Sequence, residues 1–412
     1  MYDVYEIRKQ FPMLSNNRTM QGKPLVYLDN ASTTFKPQCV LDAMNRYYTE
    51  ITANSHRGDY DLCYIVDTEI AKARKVVARF VNSEVNEVVF TSGDTEALNL
   101  IAYGYAFKFL TKDDAILISE AEHASNVLPW FKISQLTGCK IYYIKPENNR
   151  IAPNAVTDAL EAHNDIKLVA IAHVGNVLGY RADVKRIAWI CNQFGALLAV
   201  DGAQSVPHMK TDFKDWDIDF LTFSAHKMCG PTGVGALVAK YELLEMMDTF
   251  MTGGGMNVTF KCDGTCEVLE APAKFEAGTQ NIAAIMGFGA AIEFLESLGM
   301  ENIERHEKEI HDYLISRIKE CKDLIIYNID NEGGIFTFNR VGVFAQDEAT
   351  LLNSKGIAVR SGQHCAKMLD ALIGTPATVR MSTYLYTTKE DIDVFVDALL
   401  KGGDILDAYF DD

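Results

Sequence analysis

Positive charge is scarce in this chain of 412 residues, where 39 Lys and Arg stand against 56 Asp and Glu for a net charge of −17. Such a surface on average repels phosphate polymers and anionic headgroups, which argues against direct nucleic-acid binding. Long apolar runs are missing as well, since none approaches the roughly 20 residues that a spanning helix needs. The opening residues (Met1, Tyr2, Asp3, then Glu6, Arg8 and Lys9) have neither the basic start nor the apolar stretch of an export signal. The expectation is a soluble, cytoplasmic protein with no membrane role. Internal repeats, low-complexity tracts and linkers rich in Ser and Pro are also lacking.

Nine cysteines are an odd number, and they are scattered, which suits reduced thiols better than a disulfide framework. The close pair Cys262 and Cys266, in KCDGTCEV, has no second Cys or His pair at finger-like spacing. This argues against structural zinc, so no metal is expected, and leaves a disulfide under oxidation as the alternative. With 48% hydrophobic and 23% charged residues the composition is that of a globular protein. At roughly 150 residues per domain, two or three domains are allowed.

Val4, Ile7 and Phe11 have helical spacing and stop at Pro12, which predicts a short docking helix. After a strand expected over Leu25 to Leu28, short apolar runs alternate with helix-length stretches. The runs are EVVF ending at Phe90, AILIS (115–119), KIYYI (140–144), KLVAIAHV (167–174), ALLAV (196–200) and DFLTFS (219–224). This pattern predicts an α/β fold with a mainly parallel sheet covered on both faces. From about Ala284 long helical periodicities take over (Ile303, Ile310, Leu314, Ile318; then Ile392, Phe395, Val396, Leu399), with extended pieces GGIFTFN and ATVRMS between them. The organisation expected is a segment 1–24 packing with the small domain, a large domain 25–283, and a smaller α+β C-terminal domain 284–412.

Ligands in open α/β sheets sit beyond the carboxyl ends of the strands, so the residues after each run are the candidates. Thr91-Ser92-Gly93-Asp94-Thr95-Glu96 enters a helical stretch and offers free N–H groups to a phosphate, although the same letters also spell an ordinary N-cap. His123 follows AILIS, Asn176 follows KLVAIAHV, Asp201 and Gln204 follow ALLAV, and Ser224, His226 and Lys227 follow DFLTF. A carboxylate and a lysine at buried strand ends are costly unless paired with each other or with something bound. A phosphate cradle, an aspartate for a protonated ring nitrogen and a lysine for a Schiff base are what a pyridoxal phosphate site requires, and all three are here in that order.

The strings YLDNAST (27–33), HRG (56–58), EHASN (122–126), HVGNVLG (173–179), VDGAQ (200–204), SAHKMCGPTGVG (224–235), FEAGTQN (275–281) and RSGQHCA (360–366) span nearly the whole chain. On these motifs the chain resembles the class V aminotransferase family, most closely the group II cysteine desulfurases of the SufS/CsdA type. The resemblance implies the pyridoxal phosphate-dependent transferase fold of type I, with a mainly parallel seven-stranded sheet in a large cofactor-binding domain and the nucleophilic cysteine on the smaller one. The cofactor implied is pyridoxal 5'-phosphate. Position by position, Lys227 resembles the lysine that binds its aldehyde and Asp201 the partner of its ring nitrogen. Gln204 matches the residue near the ring hydroxyl and His123 the stacked imidazole. Thr95, Ser224 and His226 match phosphate contacts, with Thr279 reaching the phosphate of a neighbouring subunit, which implies a homodimer. Asn176 and Arg380 match residues that hold the substrate carboxylate, and Cys365 matches the nucleophile.

The reaction implied converts L-cysteine to L-alanine and leaves a persulfide on Cys365 for a SufE-like or SufU-like sulfur acceptor protein, with iron–sulfur cluster assembly the natural destination. Lys227 or His123 moves the Cα proton. A cysteine is more often a buried hydrophobe, but Cys365 follows Arg360, Gly362 and His364 and precedes an expected helix, AKMLDALIG, whose positive end would favour the thiolate. GQHCA, HVGN and KMLD depart in small ways from the family strings and leave the subtype open. A selenocysteine lyase, acting on L-selenocysteine, or a cysteine sulfinate desulfinase would use the same residues. An ordinary aminotransferase would not need Cys365. A nicotinamide dehydrogenase reading of Gly230-x-x-Gly233-x-Gly235 fails because those glycines lead into a strand-like run rather than a helix.

Overall fold

The structure, a computed structural model, describes residues 2–55 and 58–402; His56 and Arg57 of the HRG string and the last ten residues lie outside the described residues. Seven strands form the central sheet: β1 (Val88–Thr91), β2 (Ala115–Ser119), β3 (Lys140–Ile144), β4 (Ile166–Ala172), β5 (Leu197–Asp201), β6 (Phe220–Ser224) and β7 (Gly235–Ala239). Their order is β1-β7-β6-β5-β4-β2-β3, parallel throughout except for β7, which runs antiparallel between β1 and β6. The apolar runs are continuous because both faces are covered. In AILIS, Ala115 and Leu117 enter the core on one side of the sheet while Ile116 and Ile118 enter the core on the other. The edge strand β3 is the polar exception, and Lys140 there pairs with Asp165 at 2.7 Å.

Four antiparallel strands make the second sheet, in the order β8 (Leu324–Ile326), β9 (Ile335–Arg340), β11 (Thr378–Ser382), β10 (Arg360–Gly362). Phe336 and Phe338 of β9 fill its core together with Leu314 and Ile318 from the helix Met300–Ile318 and Phe395 from the helix Lys389–Lys401. The helix Ile282–Leu298 that leads toward this part is buried almost all round and belongs to the core of the large sheet through Ile285, Phe288, Ile292 and Leu295. Among the described residues no single helix is long and apolar enough to cross a membrane.

Two expectations change in detail, and one hairpin is new. The strand near Leu25 shrinks to Val26–Tyr27, which pairs in parallel with Ile357–Ala358. Pro12 starts a second short helix, Pro12–Ser15, where its missing N–H costs nothing. The hairpin of Asn257–Phe260 with Cys266–Val268 was not legible, because its side chains are mostly exposed and carry no inward period. In the first segment the Tyr2 hydroxyl donates to the Leu385 carbonyl at 2.5 Å and Arg8 pairs with Asp391 at 2.7 Å, while Ile7 and Phe11 enter the core shared with the large sheet.

Candidate active site

The carboxyl ends of β1, β2, β4, β5 and β6 open into one cleft of about 720 Å³, closed from the far side by residues of β10 and β11. After β1 the chain turns at Gly93 (φ 153°) into the helix Asp94–Ile101. The Asp94 amide donates to Ser224 Oγ at 2.8 Å, and Thr95 Oγ1 lies 2.8 Å from Ser125 Oγ. A Cβ on Gly235 would stand 2.5 Å from the Phe223 carbonyl and 2.6 Å from Gly93 Cα, so only glycine lets the loop after β1 sit this close to β6 and β7. The result is a helix N-terminus ringed by hydroxyls, suited to an anion.

Asp201 ends β5 buried, with its Oδ1 accepting the Ala203 amide at 2.9 Å. Burial pushes its carboxyl up in pKa, while Lys227 and the amide pull it down. Lys227 sits in the single turn Ala225–Lys227 after β6, and burial holds its amine below the ordinary lysine value against the pull of Asp201 and Asp94. The carbonyl of His226 accepts from the Thr34 amide at 3.0 Å and from the Thr33 and Thr34 hydroxyls at 3.1 Å each, so the lysine turn is tied to the YLDNAST segment. Gln204 donates from Nε2 to the Ala31 carbonyl at 2.8 Å and keeps Oε1 buried with no partner. His123 Nδ1 accepts the Ser125 amide at 3.1 Å, which leaves its proton on Nε2. Burial first, then Lys227, Arg360 and Arg380, lower its pKa to about 4.

Arg380, on β11 and 1% exposed, donates from Nη1 to the Asn176 carbonyl at 2.8 Å. Its Nη2 reaches Ser32 Oγ at 2.9 Å and Asp29 Oδ1 at 3.2 Å, and its Nε is buried without a partner. Ser32 also accepts from Arg360 Nη1 at 3.0 Å, so one hydroxyl joins two guanidinium groups. Asn176 Nδ2 is committed to the His364 carbonyl at 2.8 Å and thereby braces the loop of Cys365. Cys365 itself is exposed, with Sγ 3.8 Å from Arg360 Nη2. His364 and Cys365 have φ of 49° and 60°, the left-handed region that costs a non-glycine residue energy and is found where a site demands it. This turn corrects the expected helix: the described helix is only Leu369–Ile373, four residues beyond the thiol, so Arg360 and not a helix end is the positive neighbour.

Eight of the expected residues, Thr95, His123, Asn176, Asp201, Gln204, Ser224, His226 and Lys227, therefore line one cleft together with Arg380, and Cys365 stands at its rim beside Arg360. Thr279 is not brought to it; it is exposed on the loop before the helix Ile282–Leu298. Sequence reasoning assigned nothing to Asp29, Ser32 or Asp94, although the strings YLDNAST and TSGDTE contain them. The donor set fits pyridoxal 5'-phosphate: an amine, a buried acid, an orphaned amide oxygen and an N–H-rich hydroxyl loop share one cavity.

Fold and cleft together define a pyridoxal phosphate-dependent transferase of fold type I, and the comparisons with known proteins narrow the class. Residues 26–395 match the family model for aminotransferase class V. A probable cysteine desulfurase of Halalkalibacterium halodurans is 42% identical over 99% of both chains, and a cysteine desulfurase of Haloferax volcanii is 38% identical over 96% of both. Among solved structures, the cysteine desulfurase CsdA of Escherichia coli superposes with a TM-score of 0.89 at 33% identity over 97% of this chain and 98% of that one. That of Thermococcus onnurineus gives 0.90 at 32% identity over 96% and 97%. The chain belongs to the class V aminotransferase family and, within it, to the cysteine desulfurases.

Proposed function

We propose that this chain takes the sulfur of L-cysteine onto Cys365 and releases L-alanine. The observation that carries the reading is the position of the Cys365 loop, held at the rim of the cleft that contains Lys227 and Asp201 by the bonds from Ala124 to the Cys365 carbonyl (2.7 Å) and from Asn176 to the His364 carbonyl (2.8 Å). Pyridoxal phosphate, bound through Lys227, supplies an electron sink that lets the Cα proton of the substrate leave. Asp201 pairs with the ring nitrogen, Gln204 meets the ring hydroxyl and His123 covers the ring face. Thr95, Ser224 and His226 hold the phosphate, and the exposed Thr279 reaches the phosphate of a second copy, so the working unit is a homodimer.

Arg380 presents a pre-set fork for the substrate carboxylate, with Asn176 beside it. Burial lowers the proton affinity of Lys227, which suits an amine that takes the Cα proton and returns it. The Cys365 thiolate attacks the substrate sulfur: a new S–S bond forms, the Cβ–S bond breaks, and its electron pair goes back to the substrate carbon, which collects a proton and leaves as alanine. Exposure of Cys365 suits onward transfer to a SufE-like or SufU-like acceptor in the cytoplasm, for iron–sulfur cluster assembly. Mass spectrometry after L-cysteine tests this. One added sulfur is expected on the peptide containing Cys365, and its absence while alanine accumulates would defeat the proposal.

A further inference from the structure

One buried acid in the cleft has no part in the reaction so far. The backbone N–H of Asp94 is held at Ser224, but its carboxyl is buried, lines the cleft, and has an Oδ1 without a hydrogen-bond partner. Thr222 is in the same condition: fully buried on β6, with Oγ1 unpartnered. Thr222 lies opposite Asp201 in the pairing of β5 with β6, and being two residues before Ser224 it faces the same side of the sheet as Ser224. Asp94, Thr222 and Asp201 thus stand in a row, and two carboxyls buried this close together resist being ionised at once, so one proton between them relieves the repulsion.

If Asp94 keeps that proton, its O–H donates to Thr222 Oγ1 and the Thr222 O–H donates onward to Asp201, whose Oδ1 already accepts from Ala203. We propose that Asp94 is a positioning residue for the cofactor ring: held as a neutral acid, it acts through Thr222 to keep the Asp201 carboxylate ionised and aimed at the ring nitrogen. The inference rests on the assignment of Asp201 to that nitrogen. Burial first and then the charge of Asp201 raise the Asp94 pKa to about 8, opposed by the hydrogen-bonding hydroxyl of the neighbouring Thr222 and then by Lys227. The other charged or titratable groups lining the cleft around it are His123 beyond β2, His226 beside Lys227, Arg360 and Arg380 from the small sheet, and His364 beside Cys365. Glu96 on its own helix is engaged with the Ser92 amide at 2.7 Å.

The test follows the visible absorption of the lysine-bound cofactor in the holoenzyme, together with the cofactor dissociation constant. Asp94→Asn keeps the shape and an N–H donor toward Thr222 but cannot titrate. Wild type is expected to show a spectral transition near pH 8 that Asp94→Asn lacks, the two spectra agreeing at pH 7. Asp94→Ala and Thr222→Val, which break the row, are expected to weaken cofactor retention by about tenfold, the worth of roughly one hydrogen bond. The same alkaline transition in Asp94→Asn, or equal retention in Asp94→Ala and Asp94→Asn, would overturn the proposal. Asp201→Asn separates the premise from the inference: a normal band in that variant means that Asp201 does not face the ring, whatever Asp94 does.

Discussion

Ala124 donates its backbone N–H to the carbonyl of Cys365 at 2.7 Å, so the loop that carries His123 and the loop that carries the thiol are one hydrogen-bonded unit. The bond fixes the backbone of Cys365, while its side chain is exposed beside Arg360. Replacing the thiol therefore leaves the architecture alone: Cys365→Ala is expected to keep the visible cofactor band and the melting temperature while alanine production falls by ~100-fold or more. Amino-acid analysis of the reaction mixture measures this, and undiminished turnover of cysteine would remove the thiol from the mechanism.

Arg380 is satisfied on one side by Asn176 and on the other by Ser32 and Asp29, and its fork cannot be copied by an ammonium group. Arg380→Lys is expected to raise the KM for cysteine about tenfold, the cost of roughly one charge-assisted hydrogen bond, with a smaller effect on kcat. A purely structural role predicts instead a lower melting temperature with KM unchanged, and steady-state kinetics beside a melting curve distinguish the two.

Much of this site can be read from the sequence because each strand of the large sheet ends where its apolar run ends, which puts Thr91, Ser119, Ala172, Asp201 and Ser224 at the cleft within a residue or two. The small-sheet contribution is less legible. Arg380 and Cys365 were reached by resemblance, and the left-handed turn at 364–365 overrode the helical spelling of AKMLDALIG, since a chain turning through positive φ cannot at the same point begin a helix. Ser32 escaped notice because a serine in a loop has no period; its role as the bridge between Arg360 and Arg380 exists only once residues 328 and 348 positions apart are brought together. The strand order was equally invisible, since the antiparallel β7 reads as one more apolar run.

Gly235 offers a test of the cleft that leaves every polar group in place. A methyl there would have to displace the Phe223 carbonyl or Gly93, both backbone and neither able to swing aside. Gly235→Ala is expected to destabilise the protein by about 1–3 kcal/mol through overpacking and to loosen the cofactor by opening the loop at Gly93. Differential scanning calorimetry and equilibrium dialysis of the cofactor check the two effects. An unchanged cofactor affinity would separate this loop from phosphate binding.

Four histidines give the fold an acid limit. Burial is the first cause in each, and it lowers the pKa of His123 and His226 to about 4 and that of His173 and His364 to about 3, against 6.5 for a free imidazole. Because the folded values are depressed, the unfolded chain binds these protons first. The contribution to stability is complete above about pH 6.5 and is lost as pH falls through the folded values. The buried carboxyls Asp94 and Glu122, raised to about 8, act in the opposite sense: their share is complete below the ordinary carboxylate range and is lost as pH rises through about 8. His173 stacks edge-on against Trp216 and keeps Nδ1 buried without a partner, so His173→Gln removes one titrating group and leaves the carboxyls untouched. Urea unfolding of this variant between pH 6.5 and 4 is expected to show a slope shallower by up to ~1.4 kcal/mol per pH unit; a slope equal to that of the wild type would mean that His173 takes up its proton within the folded protein.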